Sequence, residues 1–249
     1  MKGIIFFVLI ITVAASAQIK DKLTFRLFGG TTLPEESFVG KNFELVQFGD
    51  LLDIGESTSN FKDYWNSGLH IGGGFDYQIF ENISAGIEVG ASFFTLNETK
   101  VEDRITELFA LLALPYNSNA VEIRQGGTDI YTLLLSVKAS YPLTSVFTPY
   151  LSLNGGYMFV DQQAIKITYF DQPFTANENY LYFYDELPAK DGSVLTGSVG
   201  VGLQYQFLNT VGSFVEINYT LGNNTGYDNV GASTIILPLR FGMVFNFRE

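Results

Sequence analysis

The 249-residue chain contains no cysteine, and its only histidine is His70. The first absence removes disulfides, thiolate metal sites and a lipidated N-terminal cysteine. The second removes any metal site built from several imidazoles. Charge is also scarce, at 16% of residues, and lopsided: 14 Lys and Arg against 26 Asp and Glu give a net charge of −12. An acidic balance argues against nucleic acid, whose phosphates demand basic surface. Beyond the first few residues no run approaches the ~18 consecutive apolar residues that a membrane helix needs. No residue pattern implies a metal or a cofactor.

What is there begins with an export pattern. Lys2 precedes an apolar run from Ile4 to Val13, and Ala15-Ser16-Ala17 offers a small-residue cleavage site ahead of Gln18. That order is the order of a secretory signal peptide, and the apolar run is too short to cross a bilayer as a helix. The expected division is a signal peptide at 1–17 and one domain at 18–249, located in the cell outer membrane after cleavage near Ala17. Hydrophobic residues make up 47% of the chain and aromatics 15%, with 25 Gly. A chain apolar enough for a membrane but without a helical span points to a closed β-barrel.

Period-two alternation supports this in eight segments. Leu23, Phe25 and Leu27 alternate with Thr24 and Arg26. Leu69, Ile71, Phe75 and Tyr77 alternate with His70, Gly72, Gly74 and Asp76. Ile83, Ile87, Val89 and Phe93 alternate with Ser84, Gly86, Glu88 and Ser92. Tyr131, Leu133, Leu135 and Val137 stand against Thr132, Ser136 and Lys138, and Leu151, Leu153, Tyr157 and Phe159 against Ser152, Asn154 and Gly156. The cleanest segment sets Leu195, Val199, Val201, Leu203 and Tyr205 against Thr196, Ser198, Gly200, Gly202 and Gln204. Val215, Ile217 and Tyr219 then oppose Glu216, Asn218 and Thr220. In the last, Ile235, Leu237, Leu239, Phe241, Met243, Phe245 and Phe247 oppose Thr234, Arg240, Gly242 and Asn246. Ile236, Pro238 and Val244 blur that segment, and Pro238 removes a ladder donor, so a local irregularity is expected there. A soluble β-sandwich also alternates. Its exposed face would carry many Lys, Glu and Asp, whereas the non-apolar face here is mostly Gly, Ser, Thr, Asn and Gln.

Connections alternate in length. Short ones fall near Phe80–Asn82, Pro142–Thr148 and Leu208–Gly212, and longer ones near Leu33–Ser67, Asn97–Gly127, Asp161–Gly192 and Asn223–Ala232. Short periplasmic turns with long extracellular loops are the habit of bacterial barrels, and an even strand count puts both termini in the periplasm. Aromatics gather at the strand ends: Tyr77, Phe80, Tyr141, Phe147, Tyr150, Tyr205, Phe207, Phe245 and Phe247 on the short-turn side, and Phe93, Phe94, Tyr131, Tyr157, Phe159 and Tyr219 on the other. The expectation is two aromatic girdles at the membrane interfaces.

With these segments in place the chain resembles the small outer-membrane β-barrels of the OmpA/OmpX type. Within that group it looks most similar to the Gly- and Tyr-rich β-barrel domain proteins of Bacteroidetes-like bacteria, the PorT-like ones included. The resemblance covers the whole of 18–249 and is a pattern without a signature motif. It implies an all-β, transmembrane, antiparallel up-and-down barrel of eight strands, surrounded by outer-membrane lipid and lipopolysaccharide. It also implies insertion by the barrel assembly machinery. Such barrels often end in a terminal Phe, whereas here Arg248 and Glu249 follow Phe247. No peptidoglycan-binding domain is expected after the barrel.

The register points six charges inward: Arg26, Lys138 and Arg240 against Asp76, Glu88 and Glu216. Three positive and three negative charges balance, and unpaired charge in so narrow a space would be costly. A salt-bridged layer plugging the lumen is therefore expected, with Gln204 and Asn154 alongside. Eight strands enclose a space that side chains fill, not a wide aqueous pore.

The loops offer less. Thr99-Lys100-Val101-Glu102 fits a capping box ahead of Val101, Ile105, Leu108 and Leu112 at helical spacing, ending at Pro115. Tyr169, Phe170, Phe174, Tyr180, Tyr182, Phe183, Tyr184, Asp185 and Glu186 make the third long loop aromatic and acidic, a surface suited to a protein or a sugar by stacking, or to packing on itself. Asp50 and Asp53, and Asp185, Glu186 and Asp191, lack the spacing of a calcium loop. His70 with Ser92 is the only pairing that hints at catalysis, and no nucleophile–base motif surrounds it, so no catalytic residue is assigned. Three function classes follow: a structural or interaction barrel, a narrow gated channel, and a lipid A-modifying enzyme. The first is favoured.

Overall fold

The computed structural model describes residues 22–34, 65–100, 102–103, 121–124, 126–170, 182–187, 190–223 and 233–247. The signal-peptide segment, Asp50 and Asp53 of the first long loop, and most of the helix expected over 99–114 lie outside these residues. Eleven strands are described: β1 (Leu23–Pro34), β2 (Gly68–Phe80), β3 (Ile83–Thr95), β4 (Val121–Arg124), β5 (Gly127–Ser140), β6 (Phe147–Gln162), β7 (Ile165–Phe170), β8 (Tyr182–Leu187), β9 (Lys190–Gln206), β10 (Val211–Asn223) and β11 (Ser233–Asn246).

Eight of them close a barrel in the order β1-β11-β10-β9-β6-β5-β3-β2. Every long strand pairs antiparallel with the next one along the chain, and β1 meets β11 from Thr24↔Asn246 to Pro34↔Ile236. The fold is therefore an up-and-down barrel. No described helix is long and apolar enough to cross a membrane.

Alternation in the sequence becomes alternation in burial, with the usual sign reversed. On β5, Ile130, Thr132, Leu134, Ser136 and Lys138 are buried inside, while Tyr131, Leu133, Leu135 and Val137 are exposed outside. The exterior carries the large apolar side chains, among them Leu135 at 67% exposure, Leu195 at 66% and Phe241 at 64%. Water does not tolerate a continuous apolar surface of this kind on a monomer.

Pro238 has the expected local effect. Pairing of β10 with β11 runs to Ile217↔Leu239 and resumes in the same register at Thr220↔Ile236, leaving Asn218 and Tyr219 out of the ladder. The turns also differ slightly from expectation, because Phe80, Phe147, Thr148, Val211 and Gly212 belong to strands.

Two loop expectations are corrected. The helical turn that begins at Glu98 is capped by Asn97, whose Oδ1 accepts a hydrogen bond from the Lys100 backbone N–H at 3.2 Å. The cap is thus two residues earlier than Thr99, and Asn serves as well as Thr in that role. The third long connection is not simply a loop. Its β7 and β8 pair from Ile165↔Leu187 to Phe170↔Tyr182, and β4 of the second connection joins β7, giving a three-stranded sheet β4-β7-β8. The β-branched and aromatic residues there suit strands, and the hairpin prolongs the β6–β9 pair, which reaches Gln162↔Lys190.

Candidate functional site

The barrel encloses its charge. Arg26, Asp76, Glu88, Lys138, Glu216 and Arg240 all face inward, with exposures between 1% and 6%. Arg26 on β1 is the hub. Its Nε donates to Asp76 Oδ2 at 2.7 Å and its Nη2 to Asp76 Oδ1 at 3.2 Å. It also lies 3.4 Å from Glu88 Oε2 and 3.9 Å from Glu216 Oε2. Arg240 on β11 bonds Glu88 through Nη1 and reaches Glu216 Oε1 at 3.1 Å through Nη2. Arg26, Glu88, Arg240 and Glu216 thus form a ring of alternating sign. Asp76 links that ring to Lys138, whose Nζ lies 3.1 Å away.

The remaining lone pairs are used locally. Ser152 Oγ donates to Glu216 Oε1 at 2.7 Å and Tyr150 Oη to Glu216 Oε2 at 3.1 Å. Arg240 lies over the Phe28 ring at 4.6 Å and Lys138 over Tyr150 at 4.7 Å. With Phe214 and Val244, these two rings form a small buried cluster beside the ions. Charged hydrogen bonds in such a buried space are strong, and so is the penalty for breaking one side of them.

Small residues across the strand make room for the large ones. Phe28 sits between Gly72 and Gly242, and Tyr150 sits opposite Gly202. A Cβ on Gly202 would lie 2.3 Å from Tyr150 Cζ. Gly202→Leu is therefore expected to overpack the site and cost about 1–3 kcal/mol or more, read as a lowered urea midpoint in lipid vesicles. An unchanged midpoint would mean that Tyr150 is not locked against β9.

Three expectations need correction. Tyr150 is not in the girdle: it is 5% exposed and faces inward, in phase with Ser152 and Asn154. Phe94, at 2% exposure, also points inward. Gln204 and Asn154 do not touch the ions. Gln204 Nε2 donates to Gln206 Oε1 at 3.1 Å and Asn154 Nδ2 to Ser198 Oγ at 2.7 Å. Ser136, Ser152 and Tyr150 supply the hydrogen bonds to the carboxylates instead.

On the outside, Tyr77, Tyr141, Tyr205 and Phe247 are 40–68% exposed and Phe207 45%. Phe245 is half-buried, stacked 6.1 Å from Phe25, which lies 4.8 Å from Phe75. Tyr205 contacts Phe147 at 5.0 Å between ring centres. These rings lie at the short-turn end. At the other end, Asp129, Asp161 and Asp191 face one another on adjacent strands β5, β6 and β9, just beyond Tyr131 and Phe159. The apolar exterior ends there. From Phe147 to Phe159, β6 runs about 40 Å at roughly 3.3 Å per residue, which a tilt of about 40° reduces to about 30 Å. That is the thickness of a bilayer's hydrocarbon core.

His70 and Ser92 do meet, with Nδ1 and Oγ 2.8 Å apart. The pair faces the lumen at 4% and 1% exposure, with His70 stacked on Phe28. No described carboxylate hydrogen-bonds His70, and no group of His, Asp and Glu among the described residues is arranged to hold a metal.

No protein-family model matches the chain, and no curated protein matches it. Solved structures are similar to it over most of their length. The chain is an eight-stranded up-and-down β-barrel. It is similar to Neisserial surface protein A, with 8% identity over 90% of this chain and 96% of that one, at a TM-score of 0.49. It is also similar to Ail, the attachment invasion locus protein of Yersinia pestis, solved in complex with the heparin analogue sucrose octasulfate. There the identity is 9% over 90% and 99% of the two chains, at a TM-score of 0.40. A third is the outer membrane protease OmpT of Escherichia coli, 10% identical over 91% and 97%, at 0.38. No argument rests on likeness at this level, and no residue role is carried across. The barrel itself rests on this chain's own strand pairing.

Proposed function

We propose that the protein is an integral outer-membrane β-barrel, exported by a signal peptide cleaved near Ala17, that serves a structural or interaction role through its loop side. The observation that carries this reading is the inverted burial: exposed Leu, Ile, Val and Phe outside, and a closed network of ions inside. Only lipid matches such an exterior, and in a membrane only a closed barrel satisfies strand backbones. Outer-membrane lipid and lipopolysaccharide are the partners of the belt, and the barrel assembly machinery is the partner for insertion. A protein partner would meet the β4-β7-β8 sheet and its neighbouring loops, since long projecting loops on a rigid barrel are where such proteins vary and bind.

The filled lumen speaks against a channel, and the burial of His70 and Ser92 against an enzyme acting on lipid A. Heat-modifiability of protein from purified outer membranes tests the core of the reading. The unboiled and boiled forms are expected to migrate differently on a gel. A soluble periplasmic protein with a single mobility would overturn it. For the interaction role, a barrel lacking residues 166–186 is expected to keep its heat shift yet lose a partner captured by the intact protein. Retention of that partner would move the interaction elsewhere.

A further inference from the structure

Next to the ion network, on the side toward the long connections, the lumen holds a second polar level. Here the protein leaves groups short of partners. His70 Nε2, Arg240 Nε, Asn154 Oδ1 and both amide atoms of Asn218 are buried with no hydrogen-bond partner among the described residues. The four residues are at most 9% exposed. Strand register brings them to neighbouring rungs. Arg240 lies opposite Gly30 and Gly30 opposite His70, while Asn218 lies opposite Gly200 and Asn154 opposite Ser198. Glycine keeps this level open: a Cβ on Gly90 would lie 3.6 Å from His70 Nε2.

Beyond it the lumen turns mostly apolar, with the buried Thr32 and Thr128 as its polar members. Phe94, Ile130, Met158, Val160, Val194 and Ile236 are inward-facing and 0–4% exposed. Ile130 pairs with Val160 and Met158 with Val194, so the layer is continuous over β5, β6 and β9.

We propose that the polar level is a closed hydration site, whose water molecules bridge His70, Asn154, Asn218 and Arg240. The apolar layer is the barrier that separates this site from the loop-side mouth. Buried polar groups without protein partners take up ordered water where the site is polar and roomy. An apolar constriction excludes water and ions. Ions at one end and hydrocarbon at the other therefore enclose a wet compartment, wherever the barrel resides in the cell.

A chain without cysteine allows a clean reporter. Ser198→Cys places one thiol beside Asn154, and a charged methanethiosulfonate is added to the full-length, folded protein in detergent. With the rest of the barrel intact, modification is expected to run at least about 100-fold slower than in the urea-unfolded chain, because the thiol is reached only by opening. Adding Met158→Gly and Ile236→Gly is expected to raise the rate at least about 10-fold, and by more than adding Glu88→Gln does. Each barrel is first checked for its heat shift, and Met158→Ser alone replaces the double variant if that one fails to fold. Fast modification of the single variant overturns the closed site. An unchanged rate after the apolar layer is removed, or a larger rise with Glu88→Gln, places the barrier at the ions and overturns the assignment. Independently, water–protein magnetisation transfer to the Asn218 side-chain amide is expected by NMR, and its absence would overturn hydration.

Discussion

Leu135→Arg is expected to destabilise the folded protein in a lipid bilayer by about 2–4 kcal/mol, the cost of a cation on a barrel's lipid face near mid-depth. Leu135 is 67% exposed and lies in the middle of β5. In a water-soluble protein the same exchange at an exposed site would fall within about ±0.5 kcal/mol. Leu143 provides the control, since it is 63% exposed but belongs to the short turn after β5. Leu143→Arg is expected to cost about 0–1 kcal/mol, as it does near an interface. Urea unfolding in lipid vesicles reads both variants. Equal, small effects would sink the membrane reading and leave the apolar exterior without an explanation.

Arg26→Met is expected to cost about 3–5 kcal/mol, the penalty for leaving buried charge without its partner. Asp76 would keep Lys138, and Glu88 and Glu216 would keep Arg240, so one negative charge in excess remains buried. Lys138→Met removes a cation whose one ion pair among the described residues is with Asp76, and should cost less. Pairing Arg26→Met with Glu88→Gln restores neutrality and should recover part of the loss. A loss below about 1 kcal/mol for Arg26→Met, with no gain from the second change, would show that the carboxylates are not ionised together in the folded barrel.

The inward charges were legible because a strand has a period of two, and one secure phase on each strand fixes every other residue. Tyr150 obeys the same rule against the pull of its aromatic ring toward the girdle: it is two residues from Ser152, so its ring belongs inside. What phase alone does not reveal is an inward residue that is apolar. Ile130, Met158, Val160, Val194 and Ile236 look like noise in an alternating pattern, yet together they form a layer, and only the pairing of distant strands brings them to one level. The strands β4 and β7–β8 were missed for a different reason. They are four to six residues long, so even the alternation of Val121–Arg124 and Ile165–Tyr169 is too brief to mark a strand, and their pairing is tertiary information. The partners of the carboxylates are also tertiary. Ser152 and Glu216 are 64 residues apart in sequence.

Closure has a consequence for how the molecule comes together. Thr24 and Asn246 share a hydrogen bond although 222 residues separate them, and Arg240 of the final strand meets Glu88 across 152. Until β11 arrives, β1 and β10 present two unsatisfied backbone edges, and Glu88 and Glu216 lack one of their two cations. The last strand is a keystone: the seam and the ion ring are completed in the same event, so a half-built barrel has neither a sealed wall nor a neutral interior. Loss of β11 should remove not one-eighth of the stability but the whole assembly.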